Sequence, residues 1–355
     1  MKLKINKTNV GDNYPTYFIA DIAANHDGKL TRAKKLIKLC ALAGANAAKF
    51  QHFKAETIVS DYGFKNISKL THQKKWKKSV FQVYKEASLN PKWNAELKKT
   101  CSKYNIDYMT APYDLDYVDD VNKYINAYKI GSGDITWTEI IKKIARKKKP
   151  VILATGASNM KDVERAYNCI KKNNKKIILM QCNTNYTGNE KNIECLNLNV
   201  IKTFEKKFGK NIILGLSDHT FGHLSVLGAV ALGAKVVEKH FTDNNSRKGP
   251  DHYFSMNPKT WKEMVIATRN LEKAFGDGIK RIEKNEKKSI IVQRRSIRAK
   301  INITKNTIIK KNMLINLRPI TSKGIPPYEL NKILNKRSRV NIKCQEEITW
   351  KKIKS

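Results

Sequence analysis

Two histidines each lie at the end of an apolar run that is predicted to form a buried strand. His219 follows the run in NIILGLSDHT, and His240 ends the run in AKVVEKHF, 21 residues further along the chain. If the two strands are neighbours, both imidazoles reach the same point and can bind a divalent metal ion, with coordination positions left for substrate and water. The pattern therefore predicts a two-histidine metal site at one edge of a sheet.

Polar residues also end the other predicted strands. They are Asp21, Lys49, Gln51, Thr110, Lys129, Ser132, Asp134, Thr155, Tyr186 and Ser217. The lysines supply positive charge, and the hydroxyl groups supply hydrogen-bond donors. Phosphate and carboxylate groups need that combination. These residues therefore predict a pocket for an anionic substrate that carries both groups.

The elements that must position these residues alternate along the chain. Short apolar runs alternate with longer amphipathic segments, which is typical of βα units around a parallel sheet. The runs span 17–23, 45–51, 106–112, 127–133, 150–156, 176–182, 212–218 and 235–241, and the predicted helices span 31–43, 91–104, 115–124, 137–145, 160–171, 193–208, 224–232 and 261–275. Eight strands close a (β/α)8 TIM barrel, whose active site lies at the carboxyl ends of the strands. A doubly wound open sheet is disfavoured because no G-x-G-x-x-G motif follows the first strand.

The composition is strongly basic, with 70 Lys and Arg residues against 31 Asp and Glu and a formal net charge of +39. Nucleic-acid-binding proteins often carry such a charge, but here the lysines are spread along the whole chain, so we expect no nucleic-acid partner. A polyanion-binding protein is the alternative from a different class. The six cysteines form no C-x-x-C pair, and no apolar run is long enough to cross a membrane. We therefore expect a cytoplasmic protein with reduced thiols and no membrane partner.

Seven segments follow one another along the chain: IADIAANHDGKLTRAKKLIKLCALAGANAAKFQHFKAE, YKIGSGD, ATGAS, QCNTNY, GLSDHT, GAVALGAKVVEKHFT and GPDHYFSMNP. Together they resemble the sialic acid synthase family. Enzymes of this family condense phosphoenolpyruvate with an amino-sugar to form nine-carbon nonulosonic acids. The resemblance implies a TIM-barrel synthase domain at 1–282, a charged linker at 283–293 and a small β-rich antifreeze-like (SAF) domain at 294–355. It also implies a domain-swapped homodimer.

The resemblance further implies a role for each matching residue. It assigns a divalent metal ion (Mn²⁺, Mg²⁺ or Co²⁺) to His219 and His240, phosphoenolpyruvate to Lys49, Thr110, Lys129, Ser132 and Ser217, and the amino-sugar to Gln51, Asp134, Tyr186 and Asp251. Asp21, Lys129 and Asp134 are the implied catalytic residues. Arg318, in NLRPITSKGI, is expected to reach the sugar site of the partner chain.

Three positions depart from the family pattern. Asp21 and Asp134 stand where relatives usually have glutamate, and Ala154 stands where they have serine. An aspartate is one methylene group shorter, a large fraction of a hydrogen-bond reach of about 3 Å. These departures affect the expected acid–base roles and the identity of the sugar. They leave the histidine pair unchanged.

The implied reaction is a metal-assisted condensation with cleavage of a C–O bond. C3 of phosphoenolpyruvate attacks the aldehyde carbon of the open-chain sugar, Asp21 stabilises the positive charge at C2 and guides a water molecule, and the lysines balance the charge of the departing phosphate. N-acetylmannosamine and the 2,4-diacetamido-trideoxy sugars that lead to legionaminate or pseudaminate are alternative acceptors. Two rival interpretations are another phosphoenolpyruvate-condensing barrel that makes seven- or eight-carbon keto-acids, and an inactive barrel that serves as a scaffold.

Overall fold

The computed structural model describes residues 1–67, 73 and 76–354. The chain begins with a hairpin of strands β1 (Lys2–Ile5) and β2 (Thr8–Gly11). Eight parallel strands then form a closed barrel. They are β3 (Tyr17–Asp21), β4 (Ala47–His52), β5 (Asp107–Pro112), β6 (Tyr128–Ile130), β7 (Val151–Ala154), β8 (Ile177–Cys182), β9 (Ile213–Asp218) and β10 (Val236–His240). Because β10 pairs with β3 as well as with β9, the barrel closes, and the predicted fold class is confirmed.

Helices connect the strands and cover the outside of the barrel. They are α1 (Leu30–Leu42), α2 (Ala55–Ile58), α3 (Asp61–Asn66), α4 (Val80–Ala87), α5 (Asn94–Lys103), α6 (Leu115–Asp120), α7 (Thr138–Arg146), α8 (Met160–Lys171), α9 (Val200–Phe208), α10 (Leu224–Ala231) and α11 (Pro258–Ala274). The helix predicted from residue 193 begins later, at Val200. Residues Glu190–Cys195 form a 3-10 turn instead, and Asn197 adopts a left-handed backbone conformation (φ 46°) that an α-helix cannot contain.

Side chains of the barrel strands alternate between the interior and the helix layer, as the two-residue period of a strand requires. On β4, for example, Ala48 and Phe50 pack in the core beneath the helices, whereas Ala47 packs inside the barrel. Lys49 lies in the cavity at the carboxyl ends of the strands. The alternation thus decides which polar residues can meet at the centre.

The N-terminal hairpin closes the opposite end of the barrel. Leu3, Ile5 and Val10 pack against the apolar residues at the amino ends of the strands. The hairpin also contributes Asn6, whose amide donates to the buried carboxylate of Asp107 at 3.0 Å. The sequence prediction contained no strands here, because each is four residues long and begins among charged residues.

The connection after β4 is longer than the others and carries α2, α3 and α4. These helices form a small apolar cluster of their own around Ala55, Val59 and Val80. The Ser79 hydroxyl caps α4 by accepting from the backbone N–H of Gln82. This connection provides one wall of the cavity described below.

Residues Asp277–Ser355 form a second compact unit, separate from the unit Met1–Gly276. It contains helix α12 (Lys287–Gln293) and an antiparallel pair, β11 (Ser296–Ala299) with β12 (Leu314–Leu317). Its core consists of isoleucines: Ile297, Ile309, Ile325, Ile333, Ile348 and Ile353. The boundary between the units precedes the expected linker at 283–293, which is largely helical. Among the described residues, no helix is long and apolar enough to span a membrane.

Candidate active site

A cavity of about 490 Å³ opens at the carboxyl ends of the barrel strands. Its lining includes ten of the predicted site residues: Asp21, Lys49, Gln51, Lys129, Ser132, Asp134, Tyr186, Ser217, His219 and His240. Asp251 also lines it, from the loop after β10. Inward-facing positions at the ends of neighbouring strands meet here, as expected for a parallel barrel.

A chain of buried ionic groups lies at the base of the cavity. Lys49 Nζ is 2.7 Å from Asp21 Oδ2 and 3.4 Å from Glu238 Oε1, and Lys129 Nζ is 3.0 Å from the same oxygen of Glu238. Ser217 Oγ donates to that oxygen at 3.3 Å. The other oxygen, Glu238 Oε2, is buried and has no hydrogen-bond partner among the described residues. Such a group is a ready acceptor for a bound molecule.

Two opposing effects set the pKa values of these ionic groups: burial and the charges of their neighbours. Burial raises the pKa of Glu238, but the ammonium groups of Lys129 and Lys49 outweigh this effect and hold the pKa at about 2. Burial lowers the pKa of Lys49, but the Asp21 and Glu238 carboxylates outweigh it and raise that pKa. Burial raises the pKa of Asp21 in spite of Lys49. Glu238 and Lys49 are thus charged at neutral pH.

His219 and His240 lie side by side, with ring centroids 5.4 Å apart. His219 Nδ1 is 2.8 Å from the carbonyl oxygen of Asn183, to which it can donate, and this contact leaves Nε2 free to bind. Burial, reinforced in His219 by His240 and in His240 by Lys49, lowers the pKa of each imidazole to about 3. Both rings are therefore neutral at pH 7, as metal ligands must be.

The two histidines fit a divalent ion in donor type and protonation state. His240 Nδ1 is buried without a hydrogen-bond partner among the described residues, and His240 Nε2 lies 3.6 Å from Asp21 Oδ2. Within those residues no three His, Cys, Asp or Glu side chains converge closely enough to hold a metal by themselves. An ion held by the histidine pair would therefore complete its coordination with substrate and water.

Two further carboxyl groups, those of Asp134 and Asp251, line the cavity. Burial raises the pKa of Asp134 to about 6 and that of Asp251 to about 7. Asp251 Oδ2 accepts a hydrogen bond from the backbone N–H of Ala24 at 3.2 Å. Near neutral pH both groups can gain or lose a proton, which suits acid–base chemistry. The Tyr186 ring packs on His219, with centroids 4.2 Å apart.

A network of charged groups holds the loop that carries Asp251. Asp27 accepts from Arg247 Nη2 at 2.7 Å and lies 2.9 Å from Nε2 of His252, the neighbour of Asp251. Asp27 also forms an ion pair with Arg32 at 3.0 Å. The loops after β3 and β10 are thereby joined at the rim of the cavity, which fixes the position of Asp251.

The structure corrects the expectation for Thr110. Its side chain does not line the cavity, because residue 110 occupies an outward-facing position on β5. There Thr110 Oγ1 donates to the carbonyl oxygen of Phe50 at 3.0 Å and lies 2.7 Å from His52 Nδ1. Met109, one position earlier, faces the barrel interior. The same two-residue period could have excluded Thr110 from the sequence alone.

Two other residues differ from the expected set. Glu238 joins both lysines but was missing from the predicted site, although it precedes His240 by two residues and so faces the same way on β10. Arg318 belongs to the second unit, where it is exposed directly after β12. It is absent from the cavity lining, all of which comes from the first unit.

Comparison with known proteins identifies the class to which this barrel belongs. Residues 36–280 match the NeuB family, and residues 294–354 match the SAF domain. The chain therefore belongs to the NeuB family, with a C-terminal SAF domain.

Individual members of the family show which enzymes the chain is most usefully compared with. The chain is 38% identical to the N,N'-diacetyllegionaminic acid synthase of Campylobacter jejuni, over 94% of this chain and 98% of the relative. It is 29% identical to the N-acetylneuraminate-9-phosphate synthase of Homo sapiens, over 96% and 93%. Its fold is similar to the crystal structure of the N-acetylneuraminic acid synthetase from Leptospira borgpetersenii, with a TM-score of 0.71 and 29% identity, covering 82% of this chain and 95% of that one. The relatives are nonulosonic acid synthases, so the chain is grouped with enzymes of sialic-type acid synthesis.

Proposed function

We propose that this protein condenses phosphoenolpyruvate with the open-chain form of an N-acetylated amino-sugar, giving a nine-carbon 2-keto acid and phosphate. The observation that carries the proposal is the joining of Lys49, Glu238 and Lys129 next to the His219 and His240 pair in one cavity. The similarity to the legionaminic acid and neuraminate-9-phosphate synthases supports it. Both reaction partners need this combination of cations and neutral imidazoles.

Phosphoenolpyruvate would bind at the lysine end of the cavity. Lys49 and Lys129 are the cations for its phosphate and carboxylate, and the Ser217 hydroxyl would exchange its 3.3 Å hydrogen bond to Glu238 for one to the substrate. Ser132 Oγ accepts from the backbone N–H of Gly156 at 2.9 Å, so its own proton is available to the substrate. Thr110 is left out of this set, and Ala154 contributes no hydroxyl.

The charges of the site support a requirement for a divalent ion. Lys49 and Lys129 are already balanced by Asp21 and Glu238, so a trianionic substrate would leave the cavity strongly negative. A divalent ion bound by His219 and His240 would offset most of that charge, and the chemistry that it supplies is polarisation of the aldehyde oxygen.

The residues of the chain would divide the remaining steps. A bond forms between C3 of phosphoenolpyruvate and the aldehyde carbon, and the aldehyde oxygen takes up a proton. Asp134 and Asp251, with pKa values of about 6 and about 7, line the cavity and have the acidity to donate it. Asp21 would face the positive charge at C2 and orient the water that adds there. One proton of that water replaces the proton given to the aldehyde oxygen. The other passes to the phosphate as the C2 carbonyl forms and the bond between C2 and the phosphate oxygen breaks, and the lysines stabilise the departing phosphate.

The acceptor that we favour is a 2,4-diacetamido-trideoxyhexose of the legionaminate type. The connection after β4 lines the cavity with apolar side chains, among them Phe53, Ile58, Val83 and Ala87. Methyl groups of two acetamido substituents and of a deoxygenated C6 gain from such contacts, whereas a C6 hydroxyl loses hydration without a polar partner. The similarity to the legionaminate synthase of Campylobacter jejuni favours the same acceptor.

The active form that we propose is a domain-swapped homodimer in which Arg318 of the partner subunit completes the sugar site. Arg318 is exposed on the small second unit, and a guanidinium offers several donors for hydroxyl and carbonyl oxygens. Exposed apolar residues lie close to the cavity, with Phe221 and Tyr253 41% and 56% exposed and their rings 5.6 Å apart. A partner subunit would cover them.

The function is tested by phosphate release from phosphoenolpyruvate in the presence of each acceptor: N-acetylmannosamine and the two diacetamido sugars that lead to legionaminate and pseudaminate. We expect release to depend on sugar and to be fastest with the legionaminate-type sugar. Release with none of the three, or release without sugar, would contradict the proposal.

The metal is tested on the same preparation. Treatment with a chelator should stop phosphate release, and Mn²⁺, Mg²⁺ or Co²⁺ should restore it. His219→Ala should lower metal content measured by elemental analysis as well as abolish turnover. Full activity in excess chelator would show that no metal is needed.

A further inference from the structure

Lys239 lies beside the proposed metal site but on the other side of the barrel wall. Glu238 and His240 face the cavity, so Lys239, between them on β10, points outward into the layer between β9, β10 and α10. Its side chain is only 2% exposed, and that of its partner Asp218 is fully buried. A buried ammonium group in the helix layer requires an explanation, because removing it from water is costly unless it is fully paired.

The two partners of Lys239 are the sequence neighbours of His219. Its ammonium group forms an ion pair with the Asp218 carboxylate and donates a hydrogen bond of 2.7 Å to the carbonyl oxygen of Thr220. Asp218 and Thr220 are the residues before and after His219. A single ammonium group therefore holds the chain on both sides of one histidine, while its own backbone leads directly into the other, His240.

The Asp218 carboxylate is held from α10 and from its own loop as well. Ser225 Oγ, on α10, donates to Asp218 Oδ2 at 2.6 Å, and the backbone N–H of Thr220 donates to Asp218 Oδ1 at 3.0 Å. The side chain of Thr220 adds a hydroxyl contact at 2.9 Å. The carboxylate is thus fixed on three sides and cannot follow Lys239 if the strand ends separate.

The position of this pair along the strands is equally specific. Residue pairing between β9 and β10 ends at Lys239 opposite Asp218. His219 and His240 lie just beyond that last pair, so no ladder hydrogen bonds fix the distance between them. Beyond the end of the backbone ladder, the side-chain contacts of Lys239 join the ends of the two strands.

We propose that the Lys239–Asp218 pair is a positioning pair that sets the separation and direction of His219 and His240, and thereby the affinity of the site for a divalent ion. Neither side chain touches the cavity, so neither is a catalytic residue. The role is geometric, because a buried ion pair contributes little more net stability than an apolar pair of similar volume. The proposal rests on the proposed function only in that the two histidines bind a divalent ion.

The test is Mn²⁺ binding to the metal-free full-length protein, measured by electron paramagnetic resonance and by calorimetry without substrate. The variant Asp218→Asn with Lys239→Met removes both charges together. We expect Mn²⁺ to bind about 10- to 100-fold more weakly, the range that supporting residues of metal ligands typically control. The thermal midpoint of the metal-free double variant should stay close to that of the metal-free wild type. Tyr17→Phe is the matched control, since it removes a buried hydrogen bond to a carboxylate at the other end of the barrel and should leave Mn²⁺ affinity unchanged.

Failure of this inference is distinguishable from failure of the proposed function. If the wild type binds Mn²⁺ and His219→Ala does not, but the double variant binds as tightly as the wild type, the positioning role is overturned and the metal site stands. If the wild type binds no divalent ion, the positioning role and the metal site are both overturned, and phosphate release still decides the condensation. Should the double variant fail to fold, Ser225→Ala, which removes the 2.6 Å hydrogen bond to Asp218 and keeps the ion pair, is expected to weaken Mn²⁺ binding by a smaller factor. Unchanged affinity in that variant would also overturn the proposal.

Discussion

The two ends of the barrel interior stabilise a buried carboxylate with different kinds of partner. Each end buries a carboxylate on an inward-facing strand position. At the amino end, Asp107 accepts hydrogen bonds from Tyr17 at 2.6 Å, Asn6 at 3.0 Å and Asn126 at 3.4 Å. At the carboxyl end, Glu238 shares one oxygen among two lysines and a serine and leaves the other without a partner among the described residues.

The difference shows which end is arranged for stability and which for binding. Asp107 has neutral donors, a hairpin that closes over it, and apolar neighbours such as Ile5 and Val10. The carboxyl end has charged groups, histidines kept neutral by burial and an open cavity. Polar groups left without partners in a buried site are costly unless a ligand satisfies them. The carboxyl end therefore leaves polar atoms open to a bound molecule, whereas the Asp107 carboxylate at the amino end already has its donors.

The largest effect that we expect comes from Lys129→Met. It removes an ammonium group that faces the substrate anion, and kcat/KM for phosphoenolpyruvate should fall by about 10²- to 10³-fold. The matched control is Lys149→Met at the amino end, where Lys149 donates to the carbonyl oxygen of Ile125 at 2.8 Å. That variant should keep kcat/KM. Equal losses in the two variants would mean that the two ends do not differ in function.

A second expectation asks whether the carboxyl end is complete within one chain, as the amino end is. Arg318→Ala and His240→Ala should each be inactive as homodimers. Mixed under conditions of subunit exchange, they should regain about a quarter of wild-type activity, because half of the dimers are mixed and each mixed dimer has one intact site. The readout is phosphate release against mixing ratio. An active Arg318→Ala homodimer, or no recovery on mixing, would contradict a site completed by the partner subunit.

The third expectation concerns pH and stability. Burial raises the pKa of Asp251 to about 7, so between its unfolded pKa near 4 and pH 7 the folded state binds more protons than the unfolded state. Stability due to this group is therefore fully present below pH 4 and is lost as the pH rises to 7. Asp251→Asn should be more stable than the wild type at pH 8 by on the order of 2 kcal/mol, with the difference shrinking toward pH 4. The free energy of unfolding of both metal-free proteins is measured with urea between pH 4 and pH 8. A difference that is independent of pH would contradict it.

The smallest effect on turnover is expected from Tyr17→Phe. The substitution removes the 2.6 Å hydrogen bond to Asp107 and should cost about 1–3 kcal/mol of unfolding free energy. Both kcat and KM should stay at wild-type values, because the cavity lies at the other end of the strands. A loss of activity larger than the loss of folded protein would show that the two ends are coupled.

The barrel was predictable from sequence, because each of the eight buried strands contains a short apolar run and amphipathic segments separate them. The hairpin was not, since its strands, Lys2–Ile5 and Thr8–Gly11, are too short for a period to be recognised. Charged residues at the ends of apolar strands are conspicuous, so the sequence could indicate that the strand-end lysines and histidines line one cavity. Thr110 was assigned wrongly and Glu238 was overlooked for the same reason, that side-chain direction along each strand was not followed. The pair formed by Lys239 and Asp218 depends on contacts between β9, β10 and α10, which local patterns do not contain.

The most direct measurement of the central proposal uses phosphoenolpyruvate labelled with ¹⁸O in the bridging oxygen, each of the three candidate sugars in turn, and mass spectrometry of both products. Wild type, Tyr17→Phe and Lys129→Met are run in parallel. We expect wild type and Tyr17→Phe to form a nine-carbon keto acid with the label in the released phosphate, and Lys129→Met to form it about 10²- to 10³-fold more slowly. Absence of the nine-carbon acid with all three candidate sugars, label retained in the keto acid, or full activity in Lys129→Met would contradict a condensing site at the carboxyl end of the barrel.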